Sequence, residues 1–129
     1  MKNTRGFTLV ELMIVMAIIA ILVGIAAPIY SQSLISAREA VLRQDLYHMR
    51  QAIDQFTMDK QRAPQSLDEL VGAGYLRELP VDPFTKSRDT WEAIQEDTLN
   101  SIDQTQPGIS DVRSGATGTA LDGTAYNSW

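Results

Sequence analysis

The sequence predicts an α+β fold: one long N-terminal α-helix, apolar in its first half and amphipathic in its second, packed on a small C-terminal head with a short helix and a small antiparallel sheet. Three observations predict it. From Phe7 to Ile29 the only polar side chains are Thr8 and Glu11. From Ile35 to Phe56 apolar residues recur at helical spacing. After Arg62 the texture changes to short segments punctuated by proline and glycine.

Residues 1–6 form a short cationic leader carrying Lys2 and Arg5. Residues 7–29 number 23 and reach about 34 Å as a helix, enough to cross a hydrocarbon core of about 30 Å. The positive-inside rule keeps Lys2 and Arg5 in the cytoplasm and puts the body of the chain on the far side. Pro28 cannot donate to the carbonyl of Gly24, and Gly24 is itself a poor helix former, so a kink or local unwinding is expected between about Gly24 and Pro28. Residues 30–62 continue the helix. Ile35, Leu42, Leu46, Met49, Ile53 and Phe56 form one stripe, and Glu39 with Arg43 makes a favourable i,i+4 pair. The simplest reading is one helix from about Phe7 to Lys60.

The head occupies residues 63–129. Ala63-Pro64 ends the long helix, because α geometry is disfavoured before proline. Ser66-Leu67-Asp68-Glu69 matches a capping box and starts a short helix through about Val71, which Gly72 and Gly74 stop. Leu79-Pro80-Val81-Asp82-Pro83-Phe84 is excluded from regular helix and central strand by its two prolines. Thr90–Gln95 and Ile109–Arg113 are weak strand candidates, Asn100–Gly108 reads as a polar loop, and Ser114–Trp129 reads as loop. Phe84 and Trp91 read as core residues, and Trp129 as a residue folded back on the head or an exposed contact.

Composition narrows the function. Sixteen acidic and 11 basic side chains give a formal charge of −5 with no basic cluster, which argues against nucleic-acid binding. Cysteine is absent from the sequence, so there is no disulfide framework and no thiolate nucleophile. His48 is the only histidine, beside the apolar stripe, and no serine–histidine–acid spacing or phosphate loop accompanies it. The chain reads as a non-enzyme. Glu11 is the residue that demands an account. A carboxylate at a bilayer centre costs about 2.5–3.5 kcal/mol on insertion scales, and less near the interface. A signal peptide cut near Gly24-Ile25-Ala26, or a plain single-pass anchor, leaves that cost unexplained.

Gly6-Phe7-Thr8-Leu9-Val10-Glu11-Leu12 resembles the processing motif of type IV pilins and of the pseudopilins of type II secretion, and the basic leader matches as well. The resemblance implies cleavage by a prepilin peptidase between Gly6 and Phe7, N-methylation of Phe7, and pairing of Glu11 with the Phe7 amine of a neighbouring subunit. A second stretch is similar to the major, G-type pseudopilin: Arg62-Ala63-Pro64, Ser66–Leu70, Tyr75-Leu76, Leu79–Phe84, Asp111–Gly115 and the terminal Trp129. It implies a helical homopolymer in which residues 7–29 form the core, with Ala17, Ala20, Gly24, Ala26 and Ala27 allowing close approach of neighbours. The implied partners are copies of the chain, the peptidase, an inner-membrane assembly platform and minor pseudopilins. The implied location is the bacterial inner membrane, single pass, with the head and the assembled pseudopilus in the periplasm. A type IV pilin of a surface pilus for adhesion or motility is the alternative, and a membrane-anchored secreted hydrolase a lesser one.

Major pseudopilins commonly hold a calcium ion in the last loop through backbone carbonyls and several acidic side chains. Here Ser114–Trp129 contains only Asp122, with Asp111 just before it. Calcium takes six to eight oxygens, with several carboxylates for tight binding. The expectation is no cofactor, with Asp111 and Asp122 the candidate ligands should calcium be held.

Overall fold

The computed structural model describes residues 5–96 and 107–129. Residues 1–4 of the leader, and the polar loop read at Asn100–Gly108 except for its last two positions, lie outside the described residues. α1 runs Leu9–Lys60, α2 Leu67–Gly72, β1 Glu92–Gln95 and β2 Ile109–Arg113, followed by a 3-10 turn at Tyr126–Ser128. The chain divides into two compact units, the first ending at Ile35 and the second running Ser36–Trp129.

In the first unit α1 begins at Leu9, two residues later than the reading from sequence, because Thr8 caps it. Thr8 Oγ1 accepts from the Glu11 backbone N–H at 3.1 Å, and Glu11 Oε2 accepts from the Thr8 N–H at 3.5 Å. This is a reciprocal capping box that satisfies donors the first turn would otherwise leave open. The apolar side chains that follow stand exposed, Leu9 at 75% and Ile21 at 63%. Among the described residues α1 is the helix long and apolar enough to cross a membrane. It passes through Gly24 and Pro28 as unbroken helix, so the local unwinding expected there does not occur. Pro28 removes one N–H donor, and the turns on either side keep theirs. The Ser31 hydroxyl donates to the Pro28 carbonyl at 2.9 Å.

In the second unit Leu42, Leu46, Met49, Ile53 and Phe56 are buried as the stripe requires, and Ile35, at the end of the first unit, is half-buried. Each such side chain contributes roughly 1.5–3 kcal/mol of apolar burial. The stripe has one further member. Glu39 stands three residues before Leu42 and is buried. Its Oε1 accepts from the Leu121 backbone N–H at 2.9 Å and from the Tyr126 hydroxyl at 3.0 Å. The i,i+4 pair expected with Arg43 is replaced: Arg43 reaches Asp122 at 3.7 Å.

Against this stripe the head packs Leu67 and Leu70 of α2, Trp91 just before β1, Ile109 and Val112 of β2, and Ala116, Ala120 and Tyr126 of the last loop. Ser66 caps α2, its hydroxyl accepting from the Glu69 N–H at 3.2 Å. Glu69 returns its carboxylate to the Gln65 N–H at 2.7 Å and to Arg62, one residue upstream of the usual capping box. Past α2, Gly74 adopts φ +86°, a left-handed conformation suited to glycine, and the Tyr75 N–H reaches back to the Leu70 carbonyl at 3.0 Å. β1 and β2 are antiparallel, pairing Glu92 with Arg113, Ala93 with Val112 and Ile94 with Asp111, and a bulge before Gln95 brings it opposite Ile109. The Leu79–Phe84 segment is irregular, as its prolines dictate. It turns on Asp82, whose fully buried carboxylate accepts from the Phe84 N–H at 2.8 Å and from the Ser114 hydroxyl. Trp91 is buried and donates its indole N–H to the Pro80 carbonyl at 2.7 Å.

Candidate processing and assembly site

Gly6 and Phe7 lie just ahead of α1 in non-helical backbone. Among the described residues, no atom beyond Gly6's own chain neighbours comes within 4 Å of where a Cβ on Gly6 would sit, and Phe7 is 84% exposed. The peptide bond between them thus joins two exposed residues ahead of the helix. A protease needs such a segment, because an α-helical backbone cannot enter an extended cleft without unwinding. Glu11 follows within the first turn of the helix. Its carboxylate turns back to the N-terminal end, where the helix dipole favours negative charge by about 0.3–1 kcal/mol. This offsets part of the cost of carrying the acid in an apolar run. Gly24 and Pro28 stay in the helix further along and touch none of these groups.

The other two acidic candidates, Asp111 and Asp122, lie in the head. Asp111 Oδ1 accepts from Arg50 Nε at 2.6 Å and from the Val112 N–H at 2.7 Å. Asp122 Oδ1 accepts from the Thr124 hydroxyl at 2.6 Å and N–H at 3.0 Å, and these bonds hold its carboxyl below the usual carboxylate range. Each aspartate has its own arginine, Arg50 and Arg43 respectively. Among the described residues no three acidic or histidine side chains are grouped to hold a metal ion. The loop's carbonyls are also engaged. Those of Gly118, Ala120 and Thr124 accept from the N–H groups of Tyr126, Gly123 and Ala120 at 3.1, 3.0 and 2.7 Å. The residues present do not fit a calcium ion.

His48 lines an open groove with Gln51, Gln55 and Tyr75. The Tyr75 hydroxyl donates to Asp59 at 2.8 Å, which raises its pKa above the ordinary tyrosine value. Nothing there activates a nucleophile. Trp129 is folded back: its ring meets Tyr126 edge-on at 5.2 Å, Arg43 lies 4.3 Å above it, and its indole N–H donates to Thr124 Oγ1 at 2.7 Å.

Reading the sequence misses three residues that organise these regions. Thr8 caps α1, and the Thr8-x-x-Glu11 spacing is a visible capping box that attention to Glu11 alone obscures. Glu39 holds the last loop, and the gap in the stripe between Ile35 and Leu42 is its signal. Arg50 ties α1 to both β2 and Trp129, with no sequence signal, since its partners lie 61 to 79 residues away.

Residues 1–27 match the family described as the prokaryotic N-terminal methylation motif. Over 104 residues the chain is 34% identical to the type II secretion system core protein G of Klebsiella pneumoniae, covering 65% of this chain and 71% of that protein. The protein of the same name from Pseudomonas aeruginosa is 32% identical over 99 residues, covering 64% and 70%. The type IV major fimbrial protein FimA of Dichelobacter nodosus is 36% identical over 72 residues, covering 56% of this chain and 46% of that one. No solved structure matches the chain at a comparable level of significance.

Proposed function

The chain belongs to the type II secretion system core protein G family of pilin-like proteins, and from that premise we propose that it is the structural subunit of a pseudopilus, without catalytic activity of its own. One observation carries the reading. An exposed Gly6-Phe7 pair and an acid at Glu11 stand at the head of an exposed, membrane-length apolar helix. An exposed apolar helix in a monomer needs a non-aqueous environment, first lipid and then copies of itself.

Hydrolysis of the Gly6–Phe7 amide by a prepilin peptidase removes the cationic leader and leaves a new ammonium on Phe7, which methylation retains as a cation. The membrane helix stays attached, since the cut precedes it. The precursor is stored in the inner membrane as a single-pass protein with its head in the periplasm. Addition to the fibre carries Glu11 into the apolar core, where it meets the Phe7 amine of a neighbour. Two unit charges about 4 Å apart attract by about 4 kcal/mol at an effective dielectric of about 20, against about 1 kcal/mol in water. A subunit out of register forfeits that pairing and buries an unpartnered acid, so the pair works as a check on register. The inner-membrane platform and minor pseudopilins supply initiation and energy.

A surface pilus for adhesion or motility is the second reading, favoured by the 36% identity to the fimbrial protein. The protein G match extends over 104 residues against 72, which favours the secretion pseudopilus. N-terminal sequencing and intact mass of the mature protein test the processing step. The expected result is Phe7 as first residue with added methyl mass. A start near Ala27, or an uncut Met1, refutes it. Sheared surface fibres many micrometres long at native expression would instead establish the pilus reading.

A further inference from the structure

We propose that a tethered pair of arginines, Arg43 and Arg50 of α1, holds the last loop in the role a bound calcium ion would fill, so that the head is calcium-independent. The inference rests on the head alone and does not require the filament reading.

Arg50 gathers oxygens as a hard cation does. Its Nε donates to Asp111 Oδ1 at 2.6 Å, and one of its terminal nitrogens donates to the Val112 carbonyl at 3.1 Å and to the Trp129 carbonyl. One carboxylate and two carbonyls, drawn from β2 and from the last turn, thus converge on a single positive group. The mix of carboxylate and carbonyl oxygen is what calcium prefers, and a planar guanidinium with five donors in a fixed fork serves the same set. Arg43 lies seven residues before Arg50, two turns along the same face of α1. It pairs with Asp122 Oδ2 at 3.7 Å and covers the Trp129 ring at 4.3 Å.

Charge accounting gives an independent argument. Arg43 and Arg50 match Asp111 and Asp122 one for one, so neither aspartate is left without a cation. A divalent ion entering the cluster would face two guanidiniums and find both aspartates committed. Displacing the arginines would leave them without partners at the foot of the loop. Asp111 Oδ1 is doubly engaged, by Arg50 and by the Val112 N–H at 2.7 Å. A cation tethered through a side chain also differs from a bound ion in kind. Its occupancy does not follow the free concentration of anything, whereas an ion's contribution rises and falls by mass action.

The test uses the full chain in detergent micelles, with thermal melts followed by near-UV circular dichroism of Trp91 and Trp129. The probe is the calcium ion alone, against a chelator. A calcium site with a dissociation constant about a hundredfold below the ion present would raise Tm by more than about 10 °C. The expected result is coincident melts in calcium and in chelator, and no binding heat by calorimetry. Arg50→Gln is expected to lower Tm by about 10 °C, and Arg43→Gln by less, since its ion pair is more exposed. Should Arg50→Gln fail to fold, the calcium titration of the unaltered chain still decides. A rise of several degrees with calcium, a measurable calcium affinity, or an Arg50→Gln melt coincident with the parent would each overturn the proposal.

Discussion

Replacing Glu39 with alanine separates two accounts of this acid. As a surface residue paired with Arg43, it would contribute about 0.3–0.5 kcal/mol, the worth of an exposed i,i+4 pair. In the structure it is 7% exposed and accepts two hydrogen bonds from the last loop. Glu39→Ala strands both donors. Tyr126 is 4% exposed, so its hydroxyl bears the full penalty for an unpaired buried group, about 1–3 kcal/mol. Leu121 is 53% exposed, and its N–H recovers part of its loss from water, leaving about 1 kcal/mol. The sum is about 2–4 kcal/mol, a fall in Tm of roughly 10–25 °C for a unit of this size.

Glu39→Gln supplies the control. It keeps an acceptor oxygen at the same place and loses only the charge assistance, so about 1 kcal/mol is expected. Tyr126→Phe removes the other partner. In the double-mutant cycle with Glu39→Ala the two are expected to couple by about 0.5–3 kcal/mol, because they share one hydrogen bond. The assay is the thermal melt of the full chain in micelles, with the near-UV signal of Trp129 reporting the loop. A Glu39→Ala melt within about 0.5 kcal/mol of the parent, or additive losses in the cycle, would refute the placement of Glu39 as the anchor of the last loop.

Two further outcomes follow from the same geometry. Glu11→Leu removes the acid from the apolar run and is expected to insert in the membrane as well as the parent or better, yet to yield few fibres on shearing and immunoblotting; normal fibres would leave Glu11 without an assembly role. Alkaline titration is expected to loosen the last loop, because burial and then the hydrogen bond to Glu39 raise the Tyr126 hydroxyl above its ordinary value. The stability so gained is present below the unfolded value of about 10 and is lost as pH rises through the higher folded one, and Tyr126→Phe should abolish that loss in the near-UV spectrum. At the acid end Glu69 behaves oppositely. Its hydrogen bond to Arg62 holds its pKa down, so its contribution is present above about pH 4.3 and fades as pH falls through the lower folded value.

How legible each region is depends on how far away its partners lie. α1 is readable because its signals are local: the burial of Leu42, Leu46, Met49, Ile53 and Phe56 follows from their spacing, and the end at Lys60 from Ala63-Pro64 just beyond it. α2 is readable from Ser66, Glu69 and the following glycines, all within a few residues. The bulge between Ile94 and Gln95 is not, because strands of four and five residues carry too little alternation to set a register. The buried Asp82 is hidden for another reason. A turn that consumes a carboxylate looks in sequence like any Asp-Pro turn, and only the Ser114 hydroxyl, 32 residues on, distinguishes it. Arg50 is the extreme case, since its three acceptors are all distant in the chain.

Acids placed within apolar helical patterns therefore need a criterion beyond their position, and the use of their lone pairs supplies one. An ionised carboxylate offers about four acceptor sites. Glu39 commits one oxygen to two short bonds inside the head and is buried by doing so. Its presence in the stripe is thus accounted for within one chain. Glu11 stands exposed with one long bond, at 3.5 Å, to the Thr8 N–H. That bond orients the carboxylate toward the N-terminal end and leaves most of its capacity open. In water the open sites are hydrated and cost nothing. In the interior of a fibre they would be stripped of water and would need a donor from elsewhere, and the cation that the proposed cleavage would create at Phe7 has the donor chemistry that such a site requires. On the proposed function the uncut precursor would lack the group that Glu11 needs, and processing would be a precondition of assembly.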